Sequence, residues 1–428
     1  MSAGVKTFNF IRNNSTETFV NVVPSATEDN IASIRDILFN DAYQPQLNEF
    51  VNNLINRISL TIVRNKSFSN PLALFKKGAV PLGSSIQDIY ENPAEAEQYE
   101  YSNTAMAKLL TITDPDTHVA YYQRNRKDIY TKTISREGLQ AAFASWEKFE
   151  DFISAITQSL YSGNYIDEFK YTKALIDGAY ANDKVIVDTV TKPVDTATAK
   201  AFLKKVRALY SQMSFPSTDY NAYSKFSGAK GTVTTWTDPE RVVLVVRADV
   251  MAEVDVEALA SAFNLGKAEF LGRVIQVDKF DHEEVLGVIC DEAWLQIYDN
   301  VFRFDEFYNA RVMAWNEYLH AWGTFAICPF ANAVVLATVK PTKVTAINLG
   351  DDVALGLTED ADGEEVEVTL TPSNATSTIS YSSSNEGVFT VEKVTDTEIV
   401  LYPKSVGTAT LTAKSGSITD TATITVSA

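Results

Sequence analysis

Apolar side chains recur at helical spacing from Ser135 to Gly163: Leu139, Ala142, Phe143, Trp146, Phe149, Ile153, Ile156 and Leu160. Ser135 suits an N-cap, Glu137 the first turn and Gly163 a left-handed stop. The pattern predicts one helix of roughly 40 Å, at ~1.5 Å per residue. That is well beyond the usual ~11–12 residues. Its core face is Phe143, Trp146, Phe149 and Ile153, while Gln140, Glu147, Glu150, Asp151 and Ser154 face water or a partner. Such a helix reads either as a long surface helix or as a spine for an extended subunit. The same period predicts helices over Ile31–Asn40, Tyr165–Ala181 and Ala199–Met213, and Asn52–Val63 reads as helix or strand.

Elsewhere the period changes. The β-branched run Arg241–Arg247 predicts a strand buried on both faces. A helix capped by Asp255 and running to Phe263, then a strand over Arg273–Val277, complete a compact α/β lobe. Further strands are expected at Val285–Cys290, Tyr318–Ile327 and Ala333–Val339. Beyond Pro341 the composition turns to Thr, Ser and Val with period-two alternation. Seven short strands are expected there, over Lys343–Leu349, Val366–Leu370, Ile379–Ser383, Phe389–Val394, Glu398–Tyr402, Gly407–Ala413 and Asp420–Val426. Turn signals such as Asp362-Gly363 separate them, as in an immunoglobulin-like sandwich.

Two stretches fit neither pattern. Residues 1–30 are rich in Asn, Ser, Thr and Glu and read as a loosely held arm. Residues 64–133 carry Pro71, Pro81, Pro93 and Pro115, an acidic insert at 91–100 and a basic cluster at 123–127. About seventy residues without a core pattern are unusual inside a compact domain. They suit a protruding hairpin whose apolar residues another subunit buries, with Lys76, Lys77, Arg124 and Arg126 as candidate intersubunit contacts.

Composition narrows the function. The chain has 428 residues, 45% of them hydrophobic, which fits packed domains and not wholesale disorder. Its net charge is −18, and residues 341–428 hold 13 acids against 4 lysines, a net −9. Gripping phosphates requires positive surface, so nucleic-acid recognition is disfavoured. The N-terminus lacks a signal-peptide core, and no apolar run reaches the ~18 residues of a membrane span. A soluble product made in a cytoplasm is expected. Cys290 and Cys328 read as buried thiols. No two of the three histidines lie close in sequence, so the pair that a helical zinc site needs is missing. The stretch Gly228–Thr232 lacks the glycine and Ser/Thr positions of a phosphate loop, and Gly83-Ser84-Ser85 is no nucleophile elbow. Asp360, Asp362, Glu364 and Glu365 are too few for a calcium hand and read as a charged hairpin turn. No catalytic residue, cofactor or metal site is expected, and no enzyme.

Residues 341–428 resemble a group-two bacterial immunoglobulin-like domain. The resemblance rests on Leu370-Thr-Pro372-Ser-Asn374-Ala375, Tyr381 to Asn385, Val406 to Leu411 and Thr421 to Val426, with Tyr381 where that family often has Trp. The first 340 residues resemble the major capsid protein of small short-tailed phages with protein-primed genomes. The matching residues are Asn70-Pro71-Leu72, Phe75 to Gly78, Pro81 to Gly83, Arg124 to Arg126, Ser145-Trp146, Phe149-Glu150, Ala248-Asp249, Ala252 to Val256, Phe270 to Gly272, Tyr298 to Asn300 and Phe330 to Ala333. This resemblance implies an α+β tailed-phage coat-protein fold. Residues 1–63 would be the N-terminal arm and first helices, and 64–133 an extended loop over a neighbour. Residues 134–340 would be peripheral and axial domains, and 341–428 an exterior sandwich. It implies self-assembly into the hexamers and pentamers of an icosahedral head enclosing double-stranded DNA, with scaffolding and portal proteins as partners. A protein compartment of the encapsulin type and a secreted adhesin are the rival readings.

Overall fold

The polar N-terminal composition turns out to serve helix ends. The computed structural model describes residues 2–60, 68–83, 85–96, 112, 114–226, 228–254 and 273–428. In place of a loose arm, residues 3–22 form α1 (Ala3–Asn13) and α2 (Glu17–Val22). The Ser2 hydroxyl accepts the Val5 N–H, and that of Thr16 accepts the Phe19 N–H. The Asn9 side chain donates to Ala26 O at 2.9 Å and accepts from Ala26 N at 2.7 Å. With α3 (Ile31–Leu38) and α4 (Gln44–Leu60), these helices bury Val5, Phe8, Ile11, Phe19, Leu47 and Phe50 completely or nearly so.

The chain forms two compact units, of which Met1–Ile89, Val119–Thr172 and Leu295–Ala326 make the first. Segment 64–133 supplies β1 (Lys76–Ala79), β2 (Ile86–Glu91), β3 (Thr117–Tyr122) and β4 (Arg126–Ser135). Ser135 is the expected N-cap, its hydroxyl accepting the Gly138 N–H. The helix it opens, α5 (Arg136–Ala142), ends early, because Ser145 caps a new one by accepting the Lys148 N–H. That second helix, α6 (Trp146–Ala181), runs 36 residues straight through Gly163. The expected stop at Gly163 and the separate helix at Tyr165 are therefore corrected. A Cβ at Gly163 would lie 3.3 Å from the Tyr130 ring, so the glycine provides clearance and not a left-handed turn.

Phe143, Trp146 and Phe149 are buried, and Ile153 is half-buried against the same cluster. Trp146 lies edge-on to Phe8 at 5.7 Å, Phe143 edge-on to Phe50 at 5.6 Å, and the Trp146 Nε1–H donates to Thr27 O. A four-stranded sheet covers these helices in the order β1-β9-β10-β4, with β9 (Leu295–Asn309) and β10 (Ala314–Ile327). β1 lies parallel to β9, and β4 lies antiparallel to β10 from Ser135↔Ala314 to Arg126↔Gly323. Trp315, Leu319 and Ile134 point from the sheet into the core. β9 escaped the pattern because Asp299, Asn300, Asp305 and Glu306 interrupt its alternation.

The second unit comprises Tyr90–His118, Lys173–Trp294 and Ile327–Ala428. Its five-stranded sheet contains β5 (Ile186–Thr189), β6 (Val242–Arg247), β7 (Val274–Val277), β8 (Val285–Asp291) and β11 (Ala333–Ala337), in the order β5-β11-β8-β6-β7. β6 is buried throughout Val242–Val246, between parallel β7 and antiparallel β8. α7 (Thr196–Gln212), opened by an Asp195 capping box, packs Phe202, Val206 and Leu209 onto Leu244, Val246 and Leu286. A short α8 (Ala248–Ala252) follows β6, and the helix expected over Asp255–Phe263 lies outside the described residues.

The last stretch is a β-sandwich of β12 (Ala346–Asn348), β13 (Val353–Gly356), β14 (Glu364–Glu367), β15 (Thr369–Thr371), β16 (Ser380–Ser383), β17 (Phe389–Lys393), β18 (Glu398–Pro403), β19 (Gly407–Ser415) and β20 (Ile418–Ser427). Sheets β13-β20-β19-β16 and β14-β18-β17, with the pair β12-β15, enclose Leu355, Phe389, Ile399, Leu411 and Ile424. The run expected at Val366–Leu370 splits at buried Val368, one half pairing with β18 and the other with β12. Alternation alone cannot reveal such a change of partner. The strand Val353–Gly356, unpredicted, pairs in parallel with β20.

Replacing Trp146 by Ala empties a site at the centre of the first core and should cost about 3–5 kcal/mol. Exposed Glu147→Ala should stay within about 0.5 kcal/mol. Chemical denaturation of both variants checks this, and equal effects would contradict the assignment of the buried face.

Candidate functional site

Along α6, Asn164, Glu168 and Thr172 fall four residues apart on one face, all with exposures of 3% or less. A polar stripe buried at this spacing requires partners. Both ends of segment 64–133 supply them for Asn164 and Glu168, while the Thr172 hydroxyl donates to Glu168 O within the helix.

At the C-terminal end, Arg126 on β4 is the hub. Its Nε donates to Asp128 Oδ2 at 2.6 Å, and its Nη2 to Tyr130 OH at 2.8 Å and Asn164 Oδ1 at 2.9 Å. The guanidinium also lies over the rings of Tyr171 and Phe325, 5.1 and 5.7 Å from their centroids. Tyr130 OH in turn donates to Asp167 Oδ2 at 2.8 Å. Burial works against the charge of Arg126, yet the Asp128 bond and its neighbours hold its pKa above the ordinary value. Burial, followed by the bond to Asp167, pushes the Tyr130 hydroxyl up, so it stays a donor.

At the N-terminal end, Asn70 Nδ2 donates to Glu168 Oε1 at 3.1 Å, and Asn70 Oδ1 accepts the Leu72 N–H. That bond caps a short helical turn, Pro71–Phe75, which buries Leu72 and Phe75. Lys76 Nζ then lies 2.9 Å from both Glu168 Oε2 and Asp299 Oδ2. Burial lowers the pKa of Lys76, but Asp299 and Glu168 more than offset it.

Of the four candidate contact cations, Lys76 and Arg126 thus find their carboxylates within the chain. Arg124 stacks on Trp322 at 5.0 Å with its Nε buried and unbonded, and Lys77 is exposed on β1. Sequence patterning singles out none of Tyr130, Asn164, Asp167 and Glu168, because many other polar residues along the helix conceal the i, i+4 spacing of Asn164 and Glu168.

Among the described residues, no catalytic arrangement accompanies this network. In the second unit, Asp116, His118 and Tyr223 form a hydrogen-bonded row, with His118 Nε2 3.2 Å from Asp116 and Nδ1 3.0 Å from the Tyr223 hydroxyl. The row ends where that hydroxyl accepts the Lys230 N–H, with no nucleophile in place. Cys290 and Cys328 are buried thiols that form no disulfide. Asp360 accepts the Gly356 N–H and so closes its own turn. Among the described residues, no three His, Cys, Asp or Glu side chains gather as metal ligands, and no helix is long and apolar enough to cross a membrane.

A sequence profile described as Phi29-like phage major capsid protein matches residues 8–337. The major capsid protein of Bacillus phage B103 is 36% identical over 334 residues, 77% of this chain and 72% of that protein. That of Bacillus phage PZA is 34% identical over 350 residues, 81% of this chain and 75% of the relative. In fold, the chain is similar to the capsid structure of Staphylococcus phage Andhra, with a TM-score of 0.54 at 13% identity, over 65% of this chain and 87% of that one.

Arg126→Ala strands Asp128, Tyr130 and Asn164 in a buried site and should cost about 3–5 kcal/mol. Arg126→Lys should restore only part of this, because a compact ammonium lacks the planar fork that spans Asp128, Tyr130 and Asn164. Denaturant midpoints check the ranking, and a mild Arg126→Ala would contradict the hub.

Proposed function

The chain belongs to the family of Phi29-like phage major capsid proteins, and we propose that in the shell its residues 64–133 reach a neighbouring copy while residues 341–428 face outward. The chain is a structural subunit of a tailed-phage head, and it self-associates into the icosahedral shell of the virion. It is not an enzyme, and the protein-compartment and adhesin readings gain no support.

One observation carries the first proposal. On the β2–β3 ribbon, Ile89, Val119 and Tyr121 are 59%, 42% and 63% exposed, while Tyr122 is buried and bonds Asp88 at 2.8 Å. A strand pair that buries one face in its own subunit and lifts apolar residues on the other is suited to a second copy. With Lys76 and Arg126 engaged in the chain, the contact is mainly apolar, rimmed by Lys77 and Arg124.

For the tail, charge and attachment support an outward position. Its net −9 disfavours the packaged polyanion. Its order, turn chemistry and Tyr381, whose hydroxyl donates to Asp396 O, suit an immunoglobulin-like domain. It rests on the end of α6 through a few polar contacts. Lys343 Nζ lies 3.1 Å from Asp183 Oδ2, and Thr376 Oγ1 donates to Ala181 O. Its core cluster shares no residue with that of the α/β sheet. Scaffolding and portal proteins are the partners expected beyond the subunit itself.

The test uses a pair, Val119→Asp with Tyr121→Asp, and a chain ending at Lys340. Charging the exposed ribbon should leave the subunit folded, with stability changed by about 0.5 kcal/mol, yet stop shell formation. The shortened chain should still assemble, and protease should remove the tail from full-length shells. Normal shells from the charged ribbon would overturn the first proposal. A tail that resists protease until the shell is broken would overturn the second.

A further inference from the structure

Beneath the β9–β10 hairpin lie two carboxylates with no counter-charge among the described residues. Glu317 on β10 is 1% exposed, and neither of its oxygens meets a donor. Glu306 on β9 takes one bond from the Asn52 side chain of α4, and its Oε2 is buried without a partner.

The surrounding elements offer little to neutralise them. From β4, Lys132 stands opposite Glu317 in the register, so both side chains leave the same face, but Lys132 is exposed and Glu317 accepts nothing from it. From α4, Glu49 is engaged by the N–H and hydroxyl of Thr16, and Asn48 accepts the Trp315 Nε1–H. On β9, Asp305 is engaged by Arg303 and lies 3.5 Å from His320. α6 carries no charged residue between Asp151 and Asp167.

We propose that Glu306 and Glu317 hold protons as a pair, and so form a pH-sensitive latch between the β9–β10 hairpin and α4. An ionised carboxylate with no donor is poorly tolerated in an interior, whereas a protonated one is neutral and escapes most of that cost. The electrostatics agree. Burial, then the neighbouring Glu306, pushes Glu317 up to about 8. Burial pushes Glu306 up to about 7, with the Asn52 bond opposing. Both lie above the ordinary 4.5, so the folded chain holds protons that the unfolded chain releases. The pair's stabilisation is complete below that ordinary value and declines as pH rises through the folded values, reaching its floor above about 8.

Thermal unfolding of the full-length chain from about pH 5.5 to pH 8.5 tests this, since each proton difference changes the folded-to-unfolded ratio about tenfold per pH unit. Asp177 in the second unit, raised by burial to about 6, contributes to every variant alike, so differences between variants isolate the pair. Glu317→Gln should flatten the slope by up to about tenfold per pH unit and raise stability at the alkaline end. Glu306→Gln should act in the same direction. Slopes parallel to the unsubstituted chain in both variants would overturn the latch. Should Glu317→Gln fail to fold, proton release decides. Unfolding the unsubstituted chain near neutral pH should release more protons than unfolding Glu306→Gln, and equal release would overturn it. Calcium or magnesium that raises the alkaline midpoint of the unsubstituted chain but not of Glu306→Gln would also overturn it, by making a metal ion the occupant.

Discussion

A buried polar stripe on one long helix has to be answered, and most of the first unit's arrangement follows from how it is answered. Asn164 and Glu168 sit on α6 where apolar side chains would otherwise pack. Arg126 and Tyr130 meet the stripe from one end of segment 64–133, and Asn70 and Lys76 from the other. The two roots of segment 64–133 are thereby fixed within about two turns of one helix. Gly163 makes this possible by leaving room for the Tyr130 ring. The stripe costs desolvation, and satisfied networks of this kind favour a single arrangement over raw stability.

Fixing the roots divides the segment's chemistry. Its most buried cations are neutralised at home, so they add nothing to attraction between copies. The outward side of the ribbon carries Ile89, Val119 and Tyr121 beside Gln87, Glu91 and Thr117, and its apolar members suit contact between like-charged subunits better than exposed ion pairs do. Those are worth only ~0–1 kcal/mol each, and less in salt. A chain with net charge −18 repels its own copies at long range, so the proposed contact has to act through short-range apolar packing.

Much of this was legible in the sequence, and what was not has identifiable causes. The aromatic face Phe143–Trp146–Phe149 was visible because helical spacing and side-chain size agree there. The break before Trp146 was hidden, since Ala144 is a good helix former and only the Ser145 hydroxyl announces a second cap. The N-terminal helices were hidden by the very Asn, Ser and Thr residues that cap and brace them. β4 was lost because its inner face carries Arg126, Asp128 and Tyr130, polar residues that alternate inward against the usual rule. The tail's strands were plain from alternation, whereas the switch at Val368 depends on partners distant in sequence. Function was legible through family resemblance, and the polar anchoring through geometry alone.

Hydroxyl-radical footprinting of two tyrosines tests the central claim most directly, because one lies at a root and the other on the ribbon. Tyr130, held between Arg126 and Asp167, should be modified slowly in the free subunit and in the assembled shell alike. Tyr121 should be modified readily in the free subunit and become protected on assembly. Equal modification of Tyr121 in both states, or ready modification of Tyr130 in the free subunit, would contradict a segment anchored at its roots and covered by a neighbour along its length.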